Sequence, residues 1–280
     1  MANNLVKDNL NWFLQIIKDN ISSKIETQNF LSSRTGGLNV MSFNIRRDSV
    51  KDGDNNWQFR KKSIVEMILA ESPDIICFQE VMPHMAKYLV KNLSSYYGNS
   101  GVECFTGGEL SKSWFIFGEG LLILFKKSRL SFVDKEVIKL FDGRAINVRR
   151  ALTVNLFDKI TNTNYTVVNT HFCHQSDEAR YNSFDLLEDL FCSLKHPLFI
   201  CGDFNCQIGD TDSGIDIFCR YFHHNELDEL GTYNRFNTPS GKTIDFIFSN
   251  HKPIRTEILR NGGNIKFLSD HYPVVTIYEL

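Results

Sequence analysis

From residue 38 onward, short apolar runs alternate with longer amphipathic stretches. Residues 38–43, 75–78, 121–125, 151–157, 165–169, 198–201, 244–248 and 274–278 are rich in β-branched and aromatic side chains and predict strands. Between some of them, 59–70, 85–93 and 178–193 place apolar residues at helical spacing, and Pro73 closes the first of these helices. Strand pairs both with and without helical crossovers imply mixed sheets with helices outside.

Before this region the pattern differs. Leu10, Phe13, Ile17 and Ile21 share one face of a predicted amphipathic helix with Lys18, Asp19 and Asn20 opposite, and the polar stretch 32–37 ends it. Residues 1–35 therefore read as an N-terminal helical extension that packs on a main domain spanning 36–280, with docking to a membrane or a partner as the alternative. No internal repeat or low-complexity tract divides the larger part.

Composition narrows the class. A chain of 280 residues with 42% hydrophobic content buries an ordinary globular core. It has no run of eighteen apolar residues and no signal-peptide pattern, so spanning a membrane and classical secretion are both disfavoured. The seven cysteines are irregularly spaced, and Cys77 and Cys201 sit inside strand-like runs. That usage predicts reduced thiols and a cytoplasmic setting. A net charge of -2 removes the domain-wide basic footprint of a tight nucleic-acid binder, leaving local clusters at Arg46, Arg47 and Lys51 and at Arg144, Arg149 and Arg150.

The polar residues at the ends of the apolar runs form a coherent set. Asn44, Glu80, His171, Asp203 and Asn205 each follow a predicted strand, and Asp270 and His271 precede the last one. Carboxylates, carboxamides and imidazoles at strand ends are the ingredients of a hydrolytic site, and hard oxygen donors without clustered cysteine suit Mg2+, with Mn2+ as a substitute.

The segments Ser42-Phe43-Asn44-Ile45-Arg46, Cys77-Phe78-Gln79-Glu80-Val81, Asn169-Thr170-His171-Phe172, Cys201-Gly202-Asp203-Phe204-Asn205, Thr243-Ile244-Asp245-Phe246-Ile247-Phe248 and Ser269-Asp270-His271-Tyr272-Pro273 together resemble the signature blocks of the endonuclease/exonuclease/phosphatase superfamily, in its usual order. The resemblance implies a DNase I-like four-layer α/β sandwich, two facing mixed β-sheets flanked by helices, with the active site at one edge. It implies a metal-dependent phosphoesterase in which Asn44, Glu80 and Asp270 hold the ion. His171, Asp203, Asn205, Asp245 and His271 would be catalytic, with His271 oriented by Asp245 and either Asp203 or His271 serving as base. Arg46 stands where some nuclease members carry an acidic residue, which argues against a second metal. Arg60 falls in a segment similar to one in small bacterial-type members and either faces the site or anchors its loop. His174 is expected at the substrate's edge rather than in a zinc site.

Substrate identity rests on the loops. Arg46, Arg47, Arg150, Tyr233 and Phe236 favour contact with nucleic acid or a nucleotide, and residues 118–140 with 149–152 also look like the tyrosyl-DNA phosphodiesterase members. Trp114-Phe115-Ile116-Phe117 and the N-terminal helix favour the alternative, a lipid-directed phosphoesterase. A non-catalytic binding module ranks last, because no catalytic block is broken. The expected protein is a monomer without an obligate protein partner, acting on a phosphoester, with nucleic acid ahead of lipid.

Overall fold

In the computed structural model, residues 37–101, 103–104, 118–141, 149–225, 229–260 and 262–280 are described. The strands are β1 (Leu38–Asn44), β2 (Ile75–Val81), β3 (Tyr97–Asn99), β4 (Glu103–Cys104), β5 (Gly120–Lys126), β6 (Leu130–Lys139), β7 (Arg150–Asp158), β8 (Thr163–His171), β9 (Leu198–Asp203), β10 (Asp245–Ser249), β11 (Pro253–Ile258) and β12 (Val274–Tyr278). The α-helices are α1 (Trp57–Glu71), α2 (Pro83–Leu93), α3 (Asp177–Phe191) and α4 (Ile215–Tyr221). The expected N-terminal helix and the apolar block at Trp114 to Phe117 lie outside the described residues. No described helix is long and apolar enough to cross a membrane.

One sheet runs β11-β12-β1-β2-β5-β3, with β4 also on β5, and the other runs β10-β9-β8-β7-β6. The continuous apolar runs are explained by burial on both faces. Within β2, Ile75 and Cys77 enter the layer between the sheets, where Val154, Val167, Phe199, Cys201 and Ile247 meet them. The alternate residues Ile76 and Phe78 point outward under α1 and α2, against Trp57, Ile64, Ile68, Met85 and Leu89. In β9, Phe199 and Cys201 face inward while Leu198 and Ile200 pack under α3 and α4 with Phe184, Leu187 and Phe218. The period of two thus feeds three apolar layers and gives the four-layer sandwich that the sequence motifs imply.

Each sheet contains one parallel pair joined by a helix: β1 and β2 across α1, and β8 and β9 across α3. Asn56 caps α1 by accepting from the Gln58 amide, and Ser72, left-handed at φ 47°, ends it before Pro73. Ser176 caps α3 by accepting from the Ala179 amide, with Asp177 and Glu178 in its first turn. A parallel pair ends both strands on the same edge, so the carboxyl ends of β1, β2, β8 and β9 all reach one rim of the sandwich. The neighbouring strands β10 and β12 run antiparallel to β9 and β1 and begin at that rim.

Beneath the rim a polar tie fixes sheet against sheet. Gln79 donates to Asn169 Oδ1 at 2.8 Å, and Asn169 donates to the Phe78 and Leu122 carbonyls at 2.8 and 3.2 Å. These groups are fully buried, where unmade hydrogen bonds are costly, so the tie holds one relative placement.

Candidate active site

The register brings the polar strand ends together. Asp203, last in β9, pairs with His171, last in β8, and with Asp245, first in β10. Gly202 is required before it: a Cβ there would stand 2.4 Å from the Thr170 carbonyl oxygen, so only glycine lets β9 lie this close to β8. Glu80 occupies a β-bulge where the pairing of β2 with β5 shifts register between Phe78 and Val81, and its φ of 60° turns the carboxylate toward the rim.

Asp203 is the hub. Asn44 Nδ2 donates to Asp203 Oδ2 at 3.1 Å and to Glu80 Oε1 at 3.2 Å. The same Asp203 oxygen lies 3.5 Å from His171 Nε2 and 3.7 Å from His271 Nε2. Its other oxygen accepts from the Asn205 amide at 2.9 Å, while Asn205 Nδ2 donates to the Phe172 carbonyl at 3.1 Å. His271 Nδ1 meets Asp245 Oδ2 at 2.9 Å, and Thr232 donates to that oxygen at 2.6 Å. The imidazole is thereby oriented with Nε2 toward Asp203. A cleft of about 330 Å³ is lined by Glu80, His171, Asp203, Asn205, Asp270 and His271 together with arginines and Tyr233.

Electrostatics divide the two histidines. Burial opposes charge on His271, but Asp245 and then Asp203 outweigh it and hold its pKa well above the ordinary imidazole value. Burial, then the nearby Arg149, His271 and His174, holds His171 well below it. Burial raises Asp203 to about 7 despite the opposing pull of His271, and burial followed by Glu80 raises Glu119 to about 7. The rim thus offers a cationic imidazole, a neutral imidazole and a carboxylate able to exchange a proton near neutrality.

Two sets of side chains offer ligand atoms to a metal ion. Asp203, Asp245 and His271 place one ligand atom each within 4.8 Å of one another. Asp245 and His271 are already joined through Nδ1 and held by Thr232, however, so this set is a hydrogen-bonded couple rather than a vacant cage. Glu80 and Asp270 fit a hard divalent cation better. Both carboxylates are largely buried, and the guanidinium of Arg46, bound to both oxygens of Asp52 at 3.1 Å, stands 4.0 Å from Glu80 and 3.8 Å from Asp270. Burying two carboxylates beside one committed arginine leaves negative charge for a cation to neutralise, and burial followed by Glu80 raises the pKa of Asp270, with His271 opposing. Asn44, the third expected ligand, stands between the two carboxylates Glu80 and Asp203. Its Oδ1 accepts from the Arg46 amide at 3.0 Å and its NH2 faces both carboxylates, so it ties Glu80 to Asp203 as a donor.

The expected substrate contacts divide. Arg46 and His174 line the cleft, and so does Tyr233, whose ring centroid lies 4.8 Å from that of His271. Arg60 does not. It is 1% exposed and donates to the carbonyls of Asn55, Ile45, Leu268 and Arg46 at 2.5 to 3.1 Å, so it anchors the loops behind the rim. Phe236 stacks on that buried guanidinium at 5.4 Å, outside the cleft lining. Arg150 is also outside it, and its neighbour Arg149 lines the wall instead. Sequence reasoning gave no site role to Glu119, Arg149 or Thr232, and it named Arg47 only beside Arg46 and Arg150 as support for a nucleic-acid substrate. Arg47 and Glu119, 3.3 Å apart, line the cleft. Arg47 and Arg149 were visible as members of basic clusters, whereas nothing in their surroundings marks Glu119 or Thr232.

Known proteins share this arrangement of strands and blocks. The model of the Endonuclease/Exonuclease/phosphatase family matches residues 41–271. Nocturnin from Rattus norvegicus is 27% identical over 200 residues, covering 63% of this chain and 45% of that protein. The CCR4-Not complex 3'-5'-exoribonuclease subunit Ccr4 from Kluyveromyces lactis is 24% identical over 304 aligned residues, covering 80% of this chain and 38% of that one. The chain spans about half the length of the curated relatives it matches, or less. The crystal structure of an endonuclease/exonuclease/phosphatase from Bacteroides vulgatus superposes with a TM-score of 0.74 at 26% identity, covering 87% of this chain and 99% of that one. With most of its length matched by the family model, the chain belongs to the endonuclease/exonuclease/phosphatase family, whose members are divalent-metal-dependent hydrolytic phosphoesterases.

Proposed function

We propose that this chain hydrolyses phosphate esters of nucleic-acid ends or nucleotides, with Mg2+ as the natural ion and Mn2+ able to replace it. The observation that carries the reading is the convergence on Asp203 of Asn44, His171 and His271, opposite Glu80 and Asp270, in one cleft. Phosphoesters resist attack because their oxygens repel nucleophiles, so a hydrolase must neutralise charge, align a water and assist the leaving oxygen.

Glu80 and Asp270 would hold the ion, which when bound supplies charge neutralisation at a non-bridging phosphate oxygen. Asp203, fixed by Asn44 and the Asn205 amide, orients and takes a proton from the attacking water. His271, charged and aimed by Asp245 and Thr232, binds the phosphate from the opposite side and can return a proton. His171, neutral, donates one hydrogen bond to the phosphate. The Asn205 side chain, anchored on Phe172, limits where the water sits. Tyr233 at the mouth offers an aromatic face to a base or sugar. A 3'-5'-exoribonuclease among the relatives supports a nucleic-acid substrate over a lipid.

Purified protein should cleave single-stranded RNA or DNA, or remove a nucleotide phosphate, with Mg2+ or Mn2+ and lose the activity in chelator. Glu80→Ala and His271→Ala should each lower kcat by about 10²–10⁴-fold. Turnover of phosphoinositides or sphingomyelin with none of any nucleic acid or nucleotide would reject the substrate assignment. Activity surviving both substitutions would reject the roles.

A further inference from the structure

The hydrolytic groups leave one part of the cleft wall unexplained. Arg149 is 6% exposed and lines the cleft, and one of its terminal nitrogens lies 3.3 Å from His174 Nδ1. Its Nε is buried without a hydrogen-bond partner, and among the described residues it forms no ion pair with a carboxylate. A guanidinium keeps its charge at any physiological pH and presents five donors in a planar fork, so a buried one with an unmet donor calls for an anion.

The strand register fixes where that charge stands. Asp245 pairs with Asp203, Asp203 with His171, and Thr170 with Ala151, so Arg149, just before β7, lies two strands beyond Asp203. Two strand spacings are about 10 Å. Arg47 adds a second guanidinium to the cleft wall, paired with Glu119 at 3.3 Å. A cleft of about 330 Å³ falls in the range of small-molecule sites and exceeds what a lone phosphate fills.

We propose that Arg149, oriented by His174 and assisted by Arg47, forms a second anion subsite that takes a phosphate neighbouring the one being hydrolysed. The scissile position rests on the phosphoesterase reading above. The substrate class is then one with phosphates in succession, such as a phosphodiester chain or a nucleoside bisphosphate, rather than a single phosphate on a neutral alcohol. A guanidinium fork suits this task, because it grips two phosphate oxygens at once.

Calorimetric titration of the full chain at fixed free magnesium tests the subsite, with orthophosphate against pyrophosphate and adenosine 5'-monophosphate against adenosine 3',5'-bisphosphate. Wild-type protein should bind the doubly phosphorylated ligand of each pair at least about tenfold more tightly, the scale of one charge-assisted contact. Arg149→Gln should erase that advantage while leaving orthophosphate affinity within about threefold. Arg255→Gln, which removes the same charge from the exposed edge strand β11, should keep it. Equal weakening of orthophosphate and pyrophosphate by Arg149→Gln would assign Arg149 to the scissile phosphate and overturn the proposal. So would an unchanged profile, or a wild-type protein that shows no preference for pyrophosphate. A pyrophosphate preference that depends on Arg149, without nucleotide binding, would keep the subsite and reject the nucleotide substrate. Should Arg149→Gln fail to fold, His174→Ala carries the same titrations, with a severalfold loss of the advantage expected.

Discussion

Arg46, Glu80 and Asn205 face the cleft with φ of 55°, 60° and 54°, in the left-handed region that side chains other than glycine avoid. Asparagine tolerates this conformation; glutamate and arginine do so at a cost of about 1–2 kcal/mol each. Each is held by a specific bond. The Arg46 amide donates to Asn44 Oδ1 at 3.0 Å, the Asn205 amide to Asp203 Oδ1 at 2.9 Å, and Glu80 Oε2 accepts from the Arg47 amide at 2.9 Å. Strain concentrated at the rim is what a site that must aim side chains costs. It follows that Glu80→Gly and Glu80→Ala should lose activity to the same extent, yet the glycine variant should be more stable by about 1 kcal/mol, since it relaxes the backbone without a Cβ. Urea unfolding of the two variants measures the difference; equal midpoints would show that the bulge carries no strain. At this scale the strand-end acids and imidazoles were legible, because each directly follows or precedes an apolar run. The sign of φ at Glu80 was not, and neither was Thr232, which lies in an irregular segment and matters only because Asp245 comes within reach.

Elements were legible in proportion to their apolar content. The central strands read as runs because both their faces are buried. The edge strands β6 and β11 were missed, since Phe132 to Glu136 in β6 and Ile254, Arg255 and Glu257 in β11 are solvent-facing, and the charges at Asp134, Lys135, Glu136, Arg255 and Glu257 break up their apolar runs, as at protected sheet edges. Helix α4, with seven residues, is too short for its period to show. Arg60 was ambiguous for a related reason: residue type does not tell a substrate contact from a loop anchor, and only the carbonyls around it decide. Those carbonyls, from Ile45, Arg46, Asn55 and Leu268, come from the segment after β1, the turn before α1 and the approach to His271. Arg60→Met should therefore lower stability by more than about 3 kcal/mol, because several buried acceptors lose their donor together. KM of the folded fraction should stay within about twofold, since no substrate contact is removed. A raised KM with unchanged stability would return Arg60 to the substrate.

At the scale of the whole molecule, the two sheets are fastened at both ends by polar groups. Near the catalytic rim the tie is Gln79 with Asn169. At the opposite edge Arg129 joins Asp74, before β2 in one sheet, at 3.3 Å to Asp158, ending β7 in the other, at 2.7 Å, and also donates to the Gly37 carbonyl. Lys126 adds a contact to Asp74 at 3.2 Å, and Tyr165 donates to Asp158. Burial opposes the charge on Asp158, but the bonds from Arg129, Tyr165 and the Ile160 amide outweigh it and lower its pKa from the ordinary 3.8. Breaking a buried pair from one side leaves an uncompensated charge, so Asp158→Asn should cost about 3–5 kcal/mol at neutral pH. The sign of the pH dependence follows from linkage. The unfolded chain binds the Asp158 proton more readily than the folded one, so this stabilisation is fully present above the ordinary carboxylate value and disappears as pH falls through the lowered folded value. Wild type and Asp158→Asn should accordingly differ most in unfolding free energy at neutral pH and converge under acid. Because the clamp lies across the sandwich from the cleft, the folded variant should keep wild-type kcat and KM. Denaturant titrations repeated from neutral pH down to about 3 would show the convergence, and a gap that persists undiminished would mean that Asp158 contributes packing rather than charge.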